Sequence, residues 1–199
     1  KKLYPDVVPK AVDENLSLIE KYSKQKPNEQ LLNPVWHVHR GSPPEEKIVM
    51  PFSMLLNIVG SSNAKTKDVL WKFIKKFHKE IDPKDHKILN ELTDYAINYF
   101  IDEVEPKKRF KKPNKNEKKA LENLIGVLKN VSQNTPAEEI QTKIYTAGKE
   151  NGYSDNLRNW FKLIYEVCFG EENGPRMGFF ISFFGVKETI DLMEKKLKI

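Results

Sequence analysis

Apolar residues recur every three to four positions along most of the chain, which is the spacing of one face of an amphipathic α-helix. One such stripe follows Asp82-Pro83 and consists of Ile88, Leu89, Leu92, Tyr95, Ala96, Tyr99 and Phe100. Asp82 is a suitable N-cap, and Pro83 suits the first position of a helix. Another stripe ends at Gly170 and contains Leu157, Trp160, Phe161, Ile164 and Cys168. Both patterns predict helices.

The same spacing predicts helices over residues 6–24, 51–61, 65–79, 116–131, 174–184 and 187–197. The tetrapeptide Thr135-Pro136-Ala137-Glu138 has the form of a capping box and predicts the start of one more helix. The expected fold class is therefore mainly all-α.

The pattern changes between residues 30 and 50. Apolar and polar residues alternate over Val35-Trp36-His37-Val38-His39, and Gly41, Pro43 and Pro44 then predict a turn. We interpret this part as an extended connector in which short strands are possible near 33–50. On a strand, His37 and His39 would point to the same side.

Charge is the next informative property. The 199 residues carry a net charge of +6 with a pI of about 9.1, which suits a polyanionic partner. Only four of the 34 basic residues are arginines, namely Arg40, Arg109, Arg158 and Arg176. The arginines are the better candidates for a specific contact, because a guanidinium group holds a phosphate or a base edge with two hydrogen bonds.

Composition also excludes several classes of protein. No run approaches the roughly 18 apolar residues that span a membrane, and no signal peptide is evident. The only cysteine, Cys168, cannot form an internal disulfide, which fits a cytoplasmic location. The chain starts at Lys1 without a methionine, so we expect a fragment or a processed form.

The most basic segment surrounds Phe110 and contains Lys107, Lys108, Arg109, Lys111, Lys112 and Lys115. Such a run follows RNA phosphates in some proteins, while an aromatic ring between the charges stacks on a base. Such a run is more often a solvated linker, and we expect residues 105–119 to form a linker or a loop. Both interpretations stay open at this point.

Candidate catalytic and metal sites are few. A zinc site needs three or four ligands, and His78, His86 and Cys168 are not at ligand spacing from His37 and His39, so no metal site is expected. Stacking or hydrogen bonding by Trp36 and His37 is a better interpretation than metal binding, and a structural role is better still. Cys168 lies on an apolar helix face, where it is inert packing. No nucleophile-elbow, P-loop or dinucleotide-binding motif occurs.

The segment from Gly170 to Phe180 joins two predicted helices. Gly170 ends one helix, Gly174-Pro175 precedes the next, and Arg176 falls in its first turn. A cation there is unfavourable to the helix dipole. Arg176 is therefore interpreted either as a residue placed for a partner or as one half of an ion pair with Glu171 or Glu172.

Several segments, in collinear order, resemble the part of class I lysyl-tRNA synthetases that follows the catalytic domain. They are Lys2-Leu3-Tyr4-Pro5-Asp6-Val7-Val8-Pro9-Lys10-Ala11-Val12-Asp13-Glu14, Asn33-Pro34-Val35-Trp36-His37-Val38-His39 with Gly41 and Pro43-Pro44, Pro51-Phe52-Ser53-Met54-Leu55-Leu56-Asn57 with Ser62-Asn63-Ala64, Lys107-Lys108-Arg109-Phe110 before Pro113, Leu163-Ile164-Tyr165, and Gly170-Glu171-Glu172-Asn173-Gly174-Pro175-Arg176-Met177-Gly178. The chain departs from the resemblance at Pro5 and Met177, where the family often has phenylalanine, and at Glu172.

The resemblance implies that catalysis and tRNA recognition lie in separate parts of the ligase. The family activates lysine with ATP and magnesium in an N-terminal Rossmann domain that carries HIGH-like and KMSKS-like motifs, and this chain contains neither motif. We expect the chain to begin just after the KMSKS-like loop and to be inactive alone, with no cofactor of its own. Residues 1–80 would form a stem-contact region. Residues 81–199 would form a helical cage similar to the anticodon-binding domain of class I glutamyl-tRNA synthetases.

The implied partners are lysine tRNA and the missing Rossmann domain, with neither DNA nor a membrane. We expect Arg176, Arg158 and Trp160 near the anticodon, Lys108, Arg109 and Lys111 on phosphates, and His37 and Arg40 in the stem-contact region.

The alternative is a non-enzymatic helical adaptor for RNA or protein. A protein-binding adaptor predicts exposed Phe and Trp patches without accompanying basic surface. An enzyme that uses Cys168 is a poor third hypothesis, because no histidine is placed in the sequence to activate the thiol.

Overall fold

The computed structural model describes residues 4–198, whose regular structure is entirely helical, so the all-α fold is confirmed. Lys2 and Leu3, which begin one of the resembling segments, lie outside the described residues. Eleven α-helices occur in the described part: α1 (Val8–Tyr22), α2 (Pro27–Gln30), α3 (Pro34–Val38), α4 (Phe52–Ser62), α5 (Lys67–Phe77), α6 (Lys87–Tyr99), α7 (Lys115–Lys129), α8 (Ala137–Gly148), α9 (Leu157–Cys168), α10 (Met177–Phe184) and α11 (Val186–Leu197).

The prediction of short strands near 33–50 is wrong. The alternating residues form the short helix α3, because the Asn33 side chain accepts the Val35 N–H at 3.0 Å and Pro34 provides the first helical residue. The helix stops at Val38, and Arg40 and Gly41 then adopt left-handed backbone conformations, with φ of 52° and 84°. Residues 42–49 are irregular. His37 lies in α3 and His39 follows its last residue, so the alternation of a strand does not set the directions of the two side chains.

One predicted helix start is also wrong, and one predicted capping box does not form. Helix α6 begins at Lys87, because the Asp82 carboxylate is occupied in a turn, where it accepts the Lys84 N–H at 3.0 Å and binds Lys75 Nζ at 2.8 Å. Helix α8 follows Pro136 as its N-cap without any side-chain cap, so Thr135 does not form the expected capping box.

The chain divides into two compact units, residues 4–103 and 104–198 in the described part. This division differs from the predicted boundary between 1–80 and 81–199, since α6 packs against α4 and α5 in the first unit. The assignment of 1–80 to a stem contact and 81–199 to a cage is a functional one and stays a prediction.

In the first unit, α4 packs against α1, α5 and α6. Carboxylates from distant parts of the chain cap its helices. Asp13 of α1 accepts the backbone N–H groups of Phe52 and Ser53 at the start of α4, and Glu46 accepts the Ile88 N–H at 3.0 Å at the start of α6. These bonds satisfy amides that a helix start leaves unpaired.

In the second unit, α8 packs against α7, α9 and α10, and α11 packs against α7 and α9. The contact between α8 and α10 is close because Gly178 has no side chain: a Cβ there would overlap the backbone of Ala137 and Gln141. The buried Gln141 Oε1 accepts the Gly178 N–H at 2.7 Å. This bond fixes the start of α10 and, with it, the position of Arg176.

Candidate nucleic-acid interface

The second unit contains a groove of about 610 Å³ between α8, α9 and the loop that precedes α10. We call it the aromatic groove. Its lining residues are Gln141, Tyr145, Asn156, Arg158, Asn159, Phe161, Lys162, Tyr165, Glu172, Asn173 and Arg176. Aromatic rings, amides and cations thus meet in one concave surface, whereas most of the other aromatic side chains of this unit are core residues.

Helix α9 presents the groove residues Arg158, Phe161, Lys162 and Tyr165 at spacings of three and four, so they share one face of the helix. Its buried residues, Trp160, Leu163, Ile164, Val167 and Cys168, occupy the remaining faces. The start of the helix is fixed by Asn156, whose side chain accepts the Asn159 N–H at 3.1 Å. The amphipathic pattern of α9 therefore orients its polar and aromatic groove face.

One wall of the groove is a chain of rings. The Tyr145 and Phe161 ring centroids are 5.0 Å apart in an edge-to-face arrangement, and Phe161 and Tyr165 are 6.3 Å apart. Tyr165 is held by a hydrogen bond from its hydroxyl to the Pro175 carbonyl at 2.9 Å, and burial raises its pKa to about 12. Tyr145 is 41% exposed and is the ring most available to an incoming base.

Three cations line the groove, and they differ in their partners. Arg176 is ion-paired with Glu138 in the first turn of α8, and not with Glu171 or Glu172. Lys162 is 3.0 Å from Glu172 and 3.6 Å from Glu166, and the hydrogen bond to Glu172 raises its pKa.

Arg158 is exposed, and within residues 4–198 its guanidinium has neither an ion pair nor a hydrogen bond. Of the three groove cations, Arg158 is therefore the one that can bind a ligand without first breaking an ion pair with a carboxylate.

The expectation that Trp160 contacts the anticodon needs correction. Its side chain is 0% exposed, and its indole N–H donates to the Ile144 carbonyl at 3.0 Å. A base cannot stack on a ring that has no accessible face. The neighbouring Phe161, one position further along α9, lines the groove instead. Sequence reasoning also missed Tyr145, Lys162 and Tyr165, although the spacing 158, 161, 162, 165 is the signal that could have found most of this face.

The basic run is an ordered part of the second unit. The backbone N–H groups of Arg109 and Lys111 donate to the carbonyls of Gly170 and Glu166, at 2.9 and 3.1 Å. These bonds attach the segment to the end of α9. The solvated-linker interpretation is therefore wrong for residues 109–111.

The three cations that were expected on phosphates are engaged within the protein. The Lys108 side chain is only 10% exposed and lies 3.6 Å from Glu171, and burial lowers its pKa. The Arg109 guanidinium donates to the carbonyls of Pro106 and Lys108. Lys111 Nζ is 2.7 Å from Glu117, a hydrogen bond that raises the pKa of the lysine.

His37 and Arg40 belong to the first unit and are both exposed. His37 Nε2 lies 2.9 Å from the Leu31 carbonyl oxygen, and its ring meets the Trp36 ring edge-to-face with centroids 5.0 Å apart. The part of His37 and Arg40 in a stem contact stays a prediction.

Residues 4–198 give little support to a metal site, a reactive cysteine or a membrane span. They contain no group of three or more His, Cys, Asp or Glu side chains arranged around a possible metal ion. Cys168 is buried, and burial raises the pKa of its thiol to about 12, so the reactive thiolate is scarce at neutral pH. None of the helices in the described range is long and apolar enough to cross a membrane.

Comparison with known proteins gives a consistent result. The chain is 40% identical over 197 residues to a lysine–tRNA ligase of Roseobacter denitrificans. It is 38% identical over 199 residues to the lysine–tRNA ligases of Rickettsia felis and Rickettsia prowazekii. Each match covers 99% of this chain. The resemblance to lysyl-tRNA synthetases that the sequence motifs indicate is thereby confirmed.

The chain spans 37–38% of the length of these relatives. No protein-family model matches the chain, and no solved structure matches it.

Proposed function

We propose that this chain is the tRNA-recognition portion of a class I lysine–tRNA ligase, and that the aromatic groove binds the anticodon of lysine tRNA. The main support is the groove itself, in which the exposed ring of Tyr145 and the unpaired guanidinium of Arg158 line one cavity. It lies in a chain that is similar over 99% of its length to lysine–tRNA ligases.

The groove suits an unpaired base better than a duplex. Sequence-specific proteins recognise single-stranded RNA by stacking splayed bases on aromatic rings and by bonding to their edges. Tyr145 offers the stacking surface, while the Asn159 and Asn173 amides and the Arg158 guanidinium offer donors and acceptors for a base edge. An anticodon loop is single-stranded and fits this chemistry.

The adaptor alternative is less well supported at this site. A protein-binding patch would expose aromatic side chains without basic surface, whereas Arg158, Lys162 and Arg176 accompany the rings here.

We assign lysine activation with ATP and magnesium to a Rossmann domain of the same ligase outside the region that this chain matches. We also propose a cytoplasmic location and a stem contact by the first unit that includes His37 and Arg40.

The direct test is binding of the 199-residue chain to labelled tRNA transcripts, followed by fluorescence anisotropy. We expect lysine tRNA to bind at least tenfold more tightly than the same transcript with a changed anticodon. Hydrogen bonds from the groove to base edges depend on the base, and those made by a charged group contribute about 1.5–3 kcal/mol. Equal affinity for the two transcripts would contradict anticodon recognition. With lysine and ATP, the chain alone is expected to attach no lysine to tRNA.

The ion pair of Arg176 with Glu138 leads to a second prediction. Both side chains are largely exposed, so the pair stabilises the fold little, but it occupies the guanidinium that RNA would use. We expect Arg176→Ala to weaken binding of lysine tRNA several-fold with the fold intact, and Glu138→Gln to strengthen it by two- to fivefold. Anisotropy titrations measure both effects, and circular dichroism checks the fold.

The double variant Arg176→Ala/Glu138→Gln provides the control. If Glu138 acts by holding Arg176, its substitution changes nothing once Arg176 is absent. An equal gain from Glu138→Gln in the two backgrounds would instead indicate a general effect of removing negative charge from the surface.

A further inference from the structure

A second cavity of the unit formed by residues 104–198, about 360 Å³ in volume, lies around Phe110. We call it the lysine pocket. The residues that matter here are Phe110, Lys112, Lys118, Val167, Lys196 and Lys198. They come from the basic segment, from α7, from α9 and from the end of α11, so four separate parts of the chain converge on this cavity.

The lysine pocket and the aromatic groove lie on different sides of α9. Val167 lines the lysine pocket and follows Tyr165, a groove residue, by two positions. Two positions correspond to a rotation of about 200° around a helix. The two cavities are therefore distinct, and only the thickness of one helix, about 10–12 Å with side chains, separates them.

Among residues 4–198, no carboxylate lines the lysine pocket, and of its lining cations only Lys111 is ion-paired there, with Glu117 and Glu166. Lys112, Lys118 and Lys198 are exposed, and none of them has an ion pair within the described chain. Lys196 is half-buried, and its pKa is lowered by burial and by the nearby positive charge of Lys108. The cavity therefore concentrates positive charge that an anion would relieve.

Helix dipoles do not explain this arrangement. The charge of Lys196, near the end of α11, interacts favourably with the helix dipole, since the C-terminus of a helix attracts cations. Lys118, however, follows closely on the start of α7, where the dipole disfavours a cation, and Lys112 lies outside any helix. Two of the lysines thus stand where the local structure gives no reason for positive charge.

Phe110 lines this cavity, and its backbone is held in place on both sides. The residues on each side of it donate backbone hydrogen bonds to Gly170 and Glu166, at 2.9 and 3.1 Å. Its ring is 50% exposed and carries Lys196 Nζ at 3.3 Å from the centroid. An ordered ring surrounded by ammonium groups is a combination that RNA-binding surfaces use along a strand.

We propose that the lysine pocket binds the phosphodiester backbone of RNA, through Lys112 and Lys118 with Lys196 and Lys198, as a contact separate from the aromatic groove. The proposal rests on the proposed function in taking the bound RNA to be the tRNA that the groove recognises. Lysine ammonium groups are point charges without the two-pronged geometry of arginine. They hold phosphates without reading sequence, so the pocket contributes affinity and the groove contributes selectivity.

The test compares the double variant Lys112→Gln/Lys118→Gln with the control Lys149→Gln/Lys187→Gln. The control residues are exposed lysines of the same unit and have no ion pair in the described chain, so both variants lose the same charge. Binding of lysine tRNA is measured by anisotropy from low to high salt.

Each phosphate contact contributes about 0.7 to 0.9 to the slope of log affinity against log salt. We expect the lysine-pocket variant to lose about 1.4 to 1.8 from this slope and to bind about tenfold more weakly at low salt. The preference for the correct anticodon stays the same, and the control keeps the original slope.

Two outcomes overturn the proposal. One is a slope for the lysine-pocket variant equal to that of the control. The other is an unchanged tRNA slope while the variant loses binding to polyglutamate, which would assign the pocket to an acidic protein. A parallel titration with oligouridylate separates the two proposals. If oligouridylate binding depends on Lys112 and Lys118 but tRNA shows no anticodon preference, the lysine pocket stands and anticodon recognition fails.

Discussion

A Gly178→Ala variant is expected to unfold at a lower urea concentration than the original chain. The expected loss in the free energy of unfolding is about 3 kcal/mol, near the upper end of the usual overpacking effects. The new Cβ would overlap the Ala137 carbonyl oxygen and lie 2.8 Å from the Gln141 amide nitrogen. Both are backbone atoms of α8, so no change of side-chain rotamer relieves the overlap. Helices α8 and α10 must move apart, which also weakens the Gln141 bond to residue 178.

Gly126→Ala is the matched control for this prediction. Gly126 lies inside α7, and a Cβ there meets nothing within 4 Å. The same chemical change is expected to stabilise the fold by about 0.5–1 kcal/mol, because alanine favours a helix over glycine. Circular dichroism at increasing urea measures both variants. Equal unfolding midpoints for the two variants would show that α8 and α10 are not closely packed at Gly178.

The long helices could be predicted from sequence because their apolar spacing persists over several turns. Helix α9 begins and ends within the predicted stripe, and Gly170 follows it with φ of 71°, as a C-terminal glycine does. Such a pattern marks the face of a helix that needs to be buried, and in the folded chain this face packs against the core. Periodicity and fold therefore agree wherever an element is long.

Short elements carry no such pattern. Helix α3 has five residues, which is little more than one turn, so its alternating sequence was indistinguishable from a short strand. Asp82-Pro83 has the sequence of a helix start, but contacts outside this segment determine where α6 begins. The Asp82 carboxylate binds Lys75, and Glu46 accepts the Ile88 N–H at the start of α6. Local propensity cannot anticipate which of two carboxylates a helix start will use.

The candidate site could be predicted only in part, for a similar reason. Arg158 and Arg176 were identified because arginine is rare in this chain, and both line the groove. Trp160 and Phe161 are adjacent aromatic residues, and a rotation of about 100° along α9 decides which one is buried. The partner of Arg176, Glu138, is 38 residues away in sequence, and only the packing of α10 on α8 brings them together.

The aromatic groove leads to the largest expected change in RNA binding. Tyr145→Ala removes the exposed stacking ring, which contributes about 1–3 kcal/mol per base. Arg158→Ala removes a charged donor, and hydrogen bonds to charged groups contribute about 1.5–3 kcal/mol. We expect each single variant to bind lysine tRNA about tenfold more weakly and the double variant about 100-fold more weakly. Anisotropy titrations at one fixed salt concentration measure these changes.

Conservative variants test whether stacking and bidentate bonding are the causes. Tyr145→Phe keeps the ring and should retain nearly all of the affinity. Arg158→Lys keeps the charge but loses the planar fork, so it should recover the salt dependence without recovering the preference for the anticodon. If Tyr145→Phe binds as weakly as Tyr145→Ala, the hydroxyl and not the ring makes the contact. If both alanine variants bind normally while Lys112→Gln/Lys118→Gln does not, RNA binds this unit through phosphates alone, and the groove has another ligand.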